Sequence, residues 1–353
     1  MSKASRLTAV SAALLLLAAF LRFPSLTSAA VRDAMDFAAR RLIPALFPAM
    51  AAASLLLRLG RGRAPKFVSK ILRLPREGAG ALLLGWAAGF PAGAAAAAAL
   101  KRDGILKSRD AERLAAVSSA PSPAFFIAAL GGMWNCPAFG CFLFALHALT
   151  MLLLCRAFFR GEGGSRRPAC EPRSCAPASA PKAESFFPAL SRAVSDAGTA
   201  CVSVAASVVF FRALCAVLSR LFPALSPLFL LTFEFSAATA HGASLGGAGG
   251  ALFSGFAVGF SGLAVLAQIA RPLSEANLSA RPALAARLIC GAVLSLGSAA
   301  FFLLHPLAPA APAHVLSDAA RFAPRRGLLP GAVMLAVSLA AAILSSGSRK
   351  TQK

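Results

Sequence analysis

Residues 79–100 read AGALLLGWAAGFPAGAAAAAAL, an apolar run as long as a bilayer span that is interrupted at its centre by Gly89-Phe90-Pro91-Ala92-Gly93. Proline ends or kinks a helix, and glycine supplies the backbone freedom a tight turn needs. Each arm is then about ten residues, roughly 15 Å of helix against a hydrocarbon core of about 30 Å. The block therefore reads as a re-entrant helical hairpin whose tip lies at membrane depth. Irregular backbone at that depth is tolerated only where protein or a cavity covers it. Taken alone, the block reads equally well as a kinked ordinary span.

The surrounding chain decides the class. Of 353 residues, 58% are hydrophobic and 14% charged, with mean hydropathy +0.72. That excludes a disordered tail and argues against a soluble domain. Apolar blocks recur near 7–23, 42–57, 114–131, 138–156, 194–218, 225–240, 249–270, 284–305 and 329–346. The expected fold is all-α: a polytopic helical membrane protein. MSKASR followed by LTAVSAALLLLAAFL has the basic and apolar regions of a signal peptide, with TSAA (27–30) as a cleavage site, but a retained first span or signal-anchor over 1–29 is preferred.

Block 249–270 echoes the first one. ALLLGWAAGFPAGAAAAAAL (81–100) lies over ALFSGFAVGFSGLAVLAQIA (251–270), sharing G-x-x-x-G-F, and AVRDA (30–34) matches AVSDA (193–197) at a similar offset. Similar offsets imply a duplication. The expected organisation is repeat 1 at 30–158 with hairpin 79–100, a polar basic linker at 159–192, repeat 2 at 193–346 with hairpin 249–270, and a tail at 347–353. An odd number of crossings per repeat makes the second copy inverted.

The net charge of +23 then acquires a meaning. If the N-terminus is inside, both hairpins return to their own side and 225–240 does not fully cross, most of the 36 Lys and Arg fall on the inside: Lys3 and Arg6, the stretch 58–77, Lys101 to Arg113, 156–192 and 306–328. That is the positive-inside pattern of an integral membrane protein, and no nucleic-acid partner is expected. The amphipathic stretch 58–77 is expected on the anionic inner lipid surface.

Metal and nucleotide chemistry find little support. Cys141, Cys155, Cys201, Cys215 and Cys290 lie in apolar blocks, Cys170 and Cys175 lack partners at metal-ligand spacing, and His147, His241, His305 and His314 form no paired motif. No P-loop sequence is present, so no nucleotide-driven pump is encoded in this chain. No cofactor is expected beyond a coupling ion, H+ or Na+.

The motifs themselves resemble a known family. Gly78 and Gly80, the run Gly85 to Gly93, Glu112-Arg113-Leu114, and Ser118-Ser119 with Ser122-Pro123 are similar to successive motifs of the sporulation integral membrane protein YlbJ family, whose members carry nucleoside-recognition "Gate" domains. Glu234 in TFEFS, and Ser261, Gly262 and Gln268 in GFSGLAVLAQ, extend the resemblance over about 30–300. The chain departs from the pattern in having Ser119 where the family has Asn, a displaced Pro75, and no Tyr. The resemblance implies a fold like that of concentrative nucleoside transporters. It also implies a role in sporulation, dipicolinate movement across the mother-cell-derived outer forespore membrane.

Paired inverted repeats with broken segments point to a secondary transporter, because half-helix N-termini meeting at the midplane can hold an anion. The expected ligand is a small anionic solute, the expected setting is the lipid bilayer, and a homo-oligomer is left open. The substrate-binding candidates are Gly89, Phe90, Pro91, Gly93, Ser118, Ser119, Ser122, Glu234, Ser261, Gly262 and Gln268. Glu234 stands out because an intramembrane acid is costly unless paired or protonated. Arg212, in VVFFRALC, reads more readily as snorkelling to the interface than as a counter-charge. Two alternatives remain: a non-transporting scaffold of a sporulation complex, and an intramembrane serine protease built on Ser261 and His305. An enzyme is not the expected class.

Overall fold

The computed structural model describes residues 3–59, 62–160 and 185–305. The expected apolar block 329–346, the basic stretch 306–328, the tail and most of the linker lie outside the described residues. Every regular element among the described residues is helical.

Helix α1 (Lys3–Arg22) precedes α2 (Pro24–Phe37), a π-helical turn (Ala38–Leu42) and α3 (Ile43–Leu59). Pro44 has no N–H for the carbonyl of Arg40, and the chain widens into the π turn there. Then come α4 (Lys66–Leu72), α5 (Arg76–Ala88), α6 (Ala92–Arg102) and α7 (Ser108–Ser118). A second π-helical turn (Phe125–Leu130) leads through the short α8 (Gly131–Met133) to α9 (Pro137–Phe158). The rest comprises α10 (Phe186–Leu221), a 3-10 turn (Pro223–Leu225), α11 (Ser226–Phe233), α12 (Phe235–Leu245), α13 (Gly247–Phe260), α14 (Gly262–Glu275) and α15 (Arg281–Leu304).

Five stretches among the described residues are long and apolar enough to cross a membrane: Pro24–Leu56, Pro137–Phe158, Phe186–Leu221, Gly247–Glu275 and Arg281–Leu304. Large side chains such as Val202, Leu296 and Leu303 face outward, while Ala94, Ala97, Ala98 and Ala115 are fully buried. This inversion is that of a helical membrane protein, in which large apolar groups meet lipid and small residues bring helices close.

Side-chain ties give the helices their directions. Arg58 pairs with Asp196, and Arg212 lies over the Phe37 ring, so α10 runs antiparallel to α2–α3. Helices α5 and α6 pack along one another about a tip at Gly89–Pro91, which includes a cis Phe90–Pro91 bond. Cys155 and Arg156 near the end of α9 reach the Leu72 and Ile71 carbonyls at the end of α4. Lys101 donates to the Ala276 carbonyl (3.0 Å), and Glu112 accepts from the Ser279 N–H (2.7 Å). The α6–α7 and α14–α15 connections therefore share one end of the molecule.

The second hairpin, expected over 249–270, is not formed. Helix α13 packs extensively on α12 and α15, whereas α14 leaves it to reach α6, α10 and α11. The physical reason lies at the junction. Ser261 and Gly262 are left-handed (φ 67° and 72°), but Ser261 N–H still bonds Ala257 O, so the chain bends without turning back. The paired short helices of the second part are instead α11 and α12, broken at Glu234.

Candidate functional site

The breaks meet in space. A Cβ on Gly85 or Gly93 would run into the Ser118 carbonyl, and one on Gly89 would press on Ser122. The α5–α6 tip is thus locked against the extended segment that follows α7. Trp86 Nε1 donates to Val117 O (2.8 Å) beside it. In the same way Gly262 packs against the backbone of Phe233 and Glu234. Two crossings of interrupted backbone result, and the rings of Phe90, Phe125 and Phe235 join them, with centroids 4.8 Å apart for Phe125–Phe235 and 6.4 Å for Phe90–Phe235.

A cavity lies between the two crossings. Gly89 and Phe90 from the first tip, Pro121, Ser122 and Phe125 from the segment after α7, Glu234 and Ser236 from the second break, and Gln268 on α14 all line it. Its volume is about 30 Å³, enough for about two waters. A solute the size of a pyridine ring enters only if the lining elements part.

Glu234 is fully buried and is the N-cap of α12. Its carboxylate accepts from Ser236 N (3.1 Å), Ala237 N (2.7 Å), the Ser236 hydroxyl (2.8 and 2.9 Å) and Arg212 Nε (3.2 Å). A carboxylate offers about four lone-pair directions, and four donors occupy them here. Arg212 also donates to Ser236 Oγ (2.9 Å), and its guanidinium stands 4.0 Å from the Phe37 ring centroid. Snorkelling is therefore the wrong reading of Arg212: it turns inward and neutralises the buried acid.

The other candidates divide. Ser122 Oγ accepts from Phe125 N (3.3 Å) at the cavity wall. Gln268 lines the cavity, and among the described residues its side-chain oxygen and the buried hydroxyls of Ser118 and Ser119 have no hydrogen-bond partner. Pro91 and Gly93 shape the tip and its contact with α7, outside the lining. Ser261 donates to Val258 O (2.7 Å), and its neighbour Gly262 supplies the close approach to Glu234. His305 lies against Phe301 at the end of α15, so Ser261 and His305 are not brought together.

Sequence reasoning missed Ser236, which bridges Glu234 and Arg212, and Arg287, a fully buried residue on α15. An arginine inside the apolar block 284–305 was the available signal for the second. Among the described residues no cluster of His, Cys, Asp and Glu is placed to hold a metal ion.

Comparison with known proteins agrees with the motif resemblance. The chain is 27% identical over 335 residues to a Bacillus subtilis (strain 168) protein named sporulation integral membrane protein YlbJ, a match covering 82% of this chain and 81% of that one. No family model and no solved structure matches the chain.

Proposed function

We propose that this relative of the YlbJ sporulation membrane proteins is a carrier for a small anionic or polar solute, by family resemblance dipicolinate, moved across the outer forespore membrane. One observation carries the reading: two interrupted stretches of backbone from distant parts of the chain meet at a buried polar cavity lined by Ser122, Glu234, Ser236 and Gln268. Buried polar groups in a membrane protein are costly, and they mark solute and ion pathways.

The order of elements supports an inverted duplication in a register different from the one its motif echoes imply. The long helix α2–α3, the pair α5/α6, the interrupted α7–α8 and the helix α9 correspond to α10, the pair α11/α12, the interrupted α13–α14 and α15. The two sets run in opposite directions. On this reading the hairpins are α5/α6 and α11/α12, and access alternates as these pairs shift against the longer helices. Glu234, its oxygens already engaged, holds the α11/α12 break in shape, while Gln268 is the lining group whose amide N–H can donate to an anionic solute.

Uptake of dipicolinate by vesicles containing the purified chain tests the proposal. Gln268→Ala is expected to lower uptake at least about tenfold while the protein stays folded, a loss typical of a specific polar contact. Wild-type uptake in both Gln268→Ala and Glu234→Ala would remove the site. Vesicles with no uptake of any anionic or neutral solute, together with normal dipicolinate in spores lacking the gene, would favour the scaffold reading.

A further inference from the structure

Arg287 lies on the second turn of α15 with no solvent exposure, and among the described residues none of its three guanidinium nitrogens has a hydrogen-bond partner. The buried acids nearest in role are engaged elsewhere: Glu234 with Arg212, and Asp110 with Arg113. The contact Arg287 does make is with an aromatic ring, its Cζ standing 5.1 Å from the centroid of Phe90. A cation–π contact offsets part of the burial of a cation but satisfies none of its N–H groups. Phe90 is also a wall of the cavity at the α5–α6 tip. Helix α7 packs on α15, and it ends in the buried, unpartnered hydroxyls of Ser118 and Ser119.

A planar fork of unused donors behind one ring of the cavity wall matches the geometry of a carboxylate, which guanidinium binds bidentately. We propose that Arg287 is the anion-binding group of the solute site, taking a carboxylate of the solute when Phe90 moves aside. This rests on the carrier reading and adds the sign of the solute's charge and the residue that selects it. It also accounts for an intramembrane cation that has no counter-charge among the described residues.

The test uses the purified full-length chain in detergent, with dipicolinate and its neutral analogue pyridine-2,6-dicarboxamide as probes. Dipicolinate is expected to raise the unfolding midpoint of the wild type in a dose-dependent way, and the diamide to leave it unchanged. Arg287→Met removes the buried charge at similar length. Its unliganded midpoint is expected to equal or exceed that of the wild type, while the dipicolinate shift disappears. Arg287→Lys keeps the charge but loses the fork, and is expected to bind at least about tenfold more weakly. The proposal is overturned by an equal dipicolinate shift in wild type and Arg287→Met, or by no shift in the wild type at millimolar concentration. If Arg287→Met is not recovered folded, the Arg287→Lys comparison decides, an unchanged affinity counting against the proposal. Arg287-dependent stabilisation without uptake in vesicles would sink the carrier reading and leave this assignment standing. Undiminished uptake in Arg287→Met would do the reverse.

Discussion

Glu234 and Arg212 form a buried ion pair whose acid has no solvent exposure and whose base is 15% exposed at the side chain. Removing one member of such a pair strands the other, which costs about 3–5 kcal/mol. Glu234→Gln is therefore expected to lower stability by about that amount, since Arg212 loses its counter-charge. The double variant Glu234→Gln/Arg212→Gln is expected to lose less than the sum of the two single changes. Unfolding of the four proteins in one detergent gives the coupling directly, and simple additivity would show that the pair acts as two independent groups. Arg212 is a case where the sequence context misleads. VVFFRALC places an arginine among apolar residues, and nothing local shows that its counter-charge lies on the following helix pair. Arg287 was hidden for a related reason, because near the start of an apolar block it reads as an interfacial residue.

At the scale of elements, glycine decides how close the helices come. Gly85 faces the backbone of Ser118 with no room for a Cβ, whereas Gly198, in the middle of α10, has nothing within 4 Å of where a Cβ would sit. Gly85→Ala is expected to push α5 off the end of α7, lower the unfolding midpoint and reduce folded yield. Gly198→Ala is expected to be neutral or to stabilise by up to about 1 kcal/mol, the ordinary gain of alanine over glycine inside a helix. Gel filtration and thermal unfolding in detergent separate the two, and equal behaviour would mean that the α5–α7 contact can relax. The first break was legible in the sequence because GFPAG carries its cause on its face: a glycine at φ 82° and a proline without an N–H. The second was not. TFEFS holds neither residue, and the helix is divided there by a carboxylate that caps the N–H groups of Ser236 and Ala237. The G-x-x-x-G-F echo misplaced the second hairpin because glycine serves two purposes. It turns the chain back between α5 and α6, whereas after α13 it only bends the chain into α14 and admits Glu234.

For the whole molecule, the ties from Lys101 to Ala276 and from Glu112 to Ser279 put two connections at one end. The α12–α13 turn at Gly246 belongs to the other end, since α13 and α14 run from it through the cavity level down to Ala276. Single cysteines placed at Asp103 and Ser279 in a cysteine-free background are expected to react with an impermeant maleimide from the same side of a sealed vesicle. A cysteine at the exposed Ser244, beside that turn, is expected to react from the opposite side. Labelling of Asp103→Cys and Ser279→Cys from opposite sides would contradict this arrangement. The helical membrane class followed from composition. Which connections share an end did not, because that depends on contacts such as Lys101–Ala276 and Glu112–Ser279, between residues 175 and 167 positions apart.

The shortness of α5 and α6 has a consequence for how the chain is made. At 13 and 11 residues they measure about 20 and 17 Å, so neither offers a translocation channel a segment able to cross the lipid by itself. Their tip is covered by residues 118–122, which are synthesised later. Membrane integration of this pair is thus expected to be delayed until α7 and α9 have emerged. Ribosome-bound chains with Arg102 just outside the channel should leave the pair open to added protease, and chains extended past Phe158 should protect it. Equal protection at both lengths would mean that the pair is sheltered by something other than its own later partners.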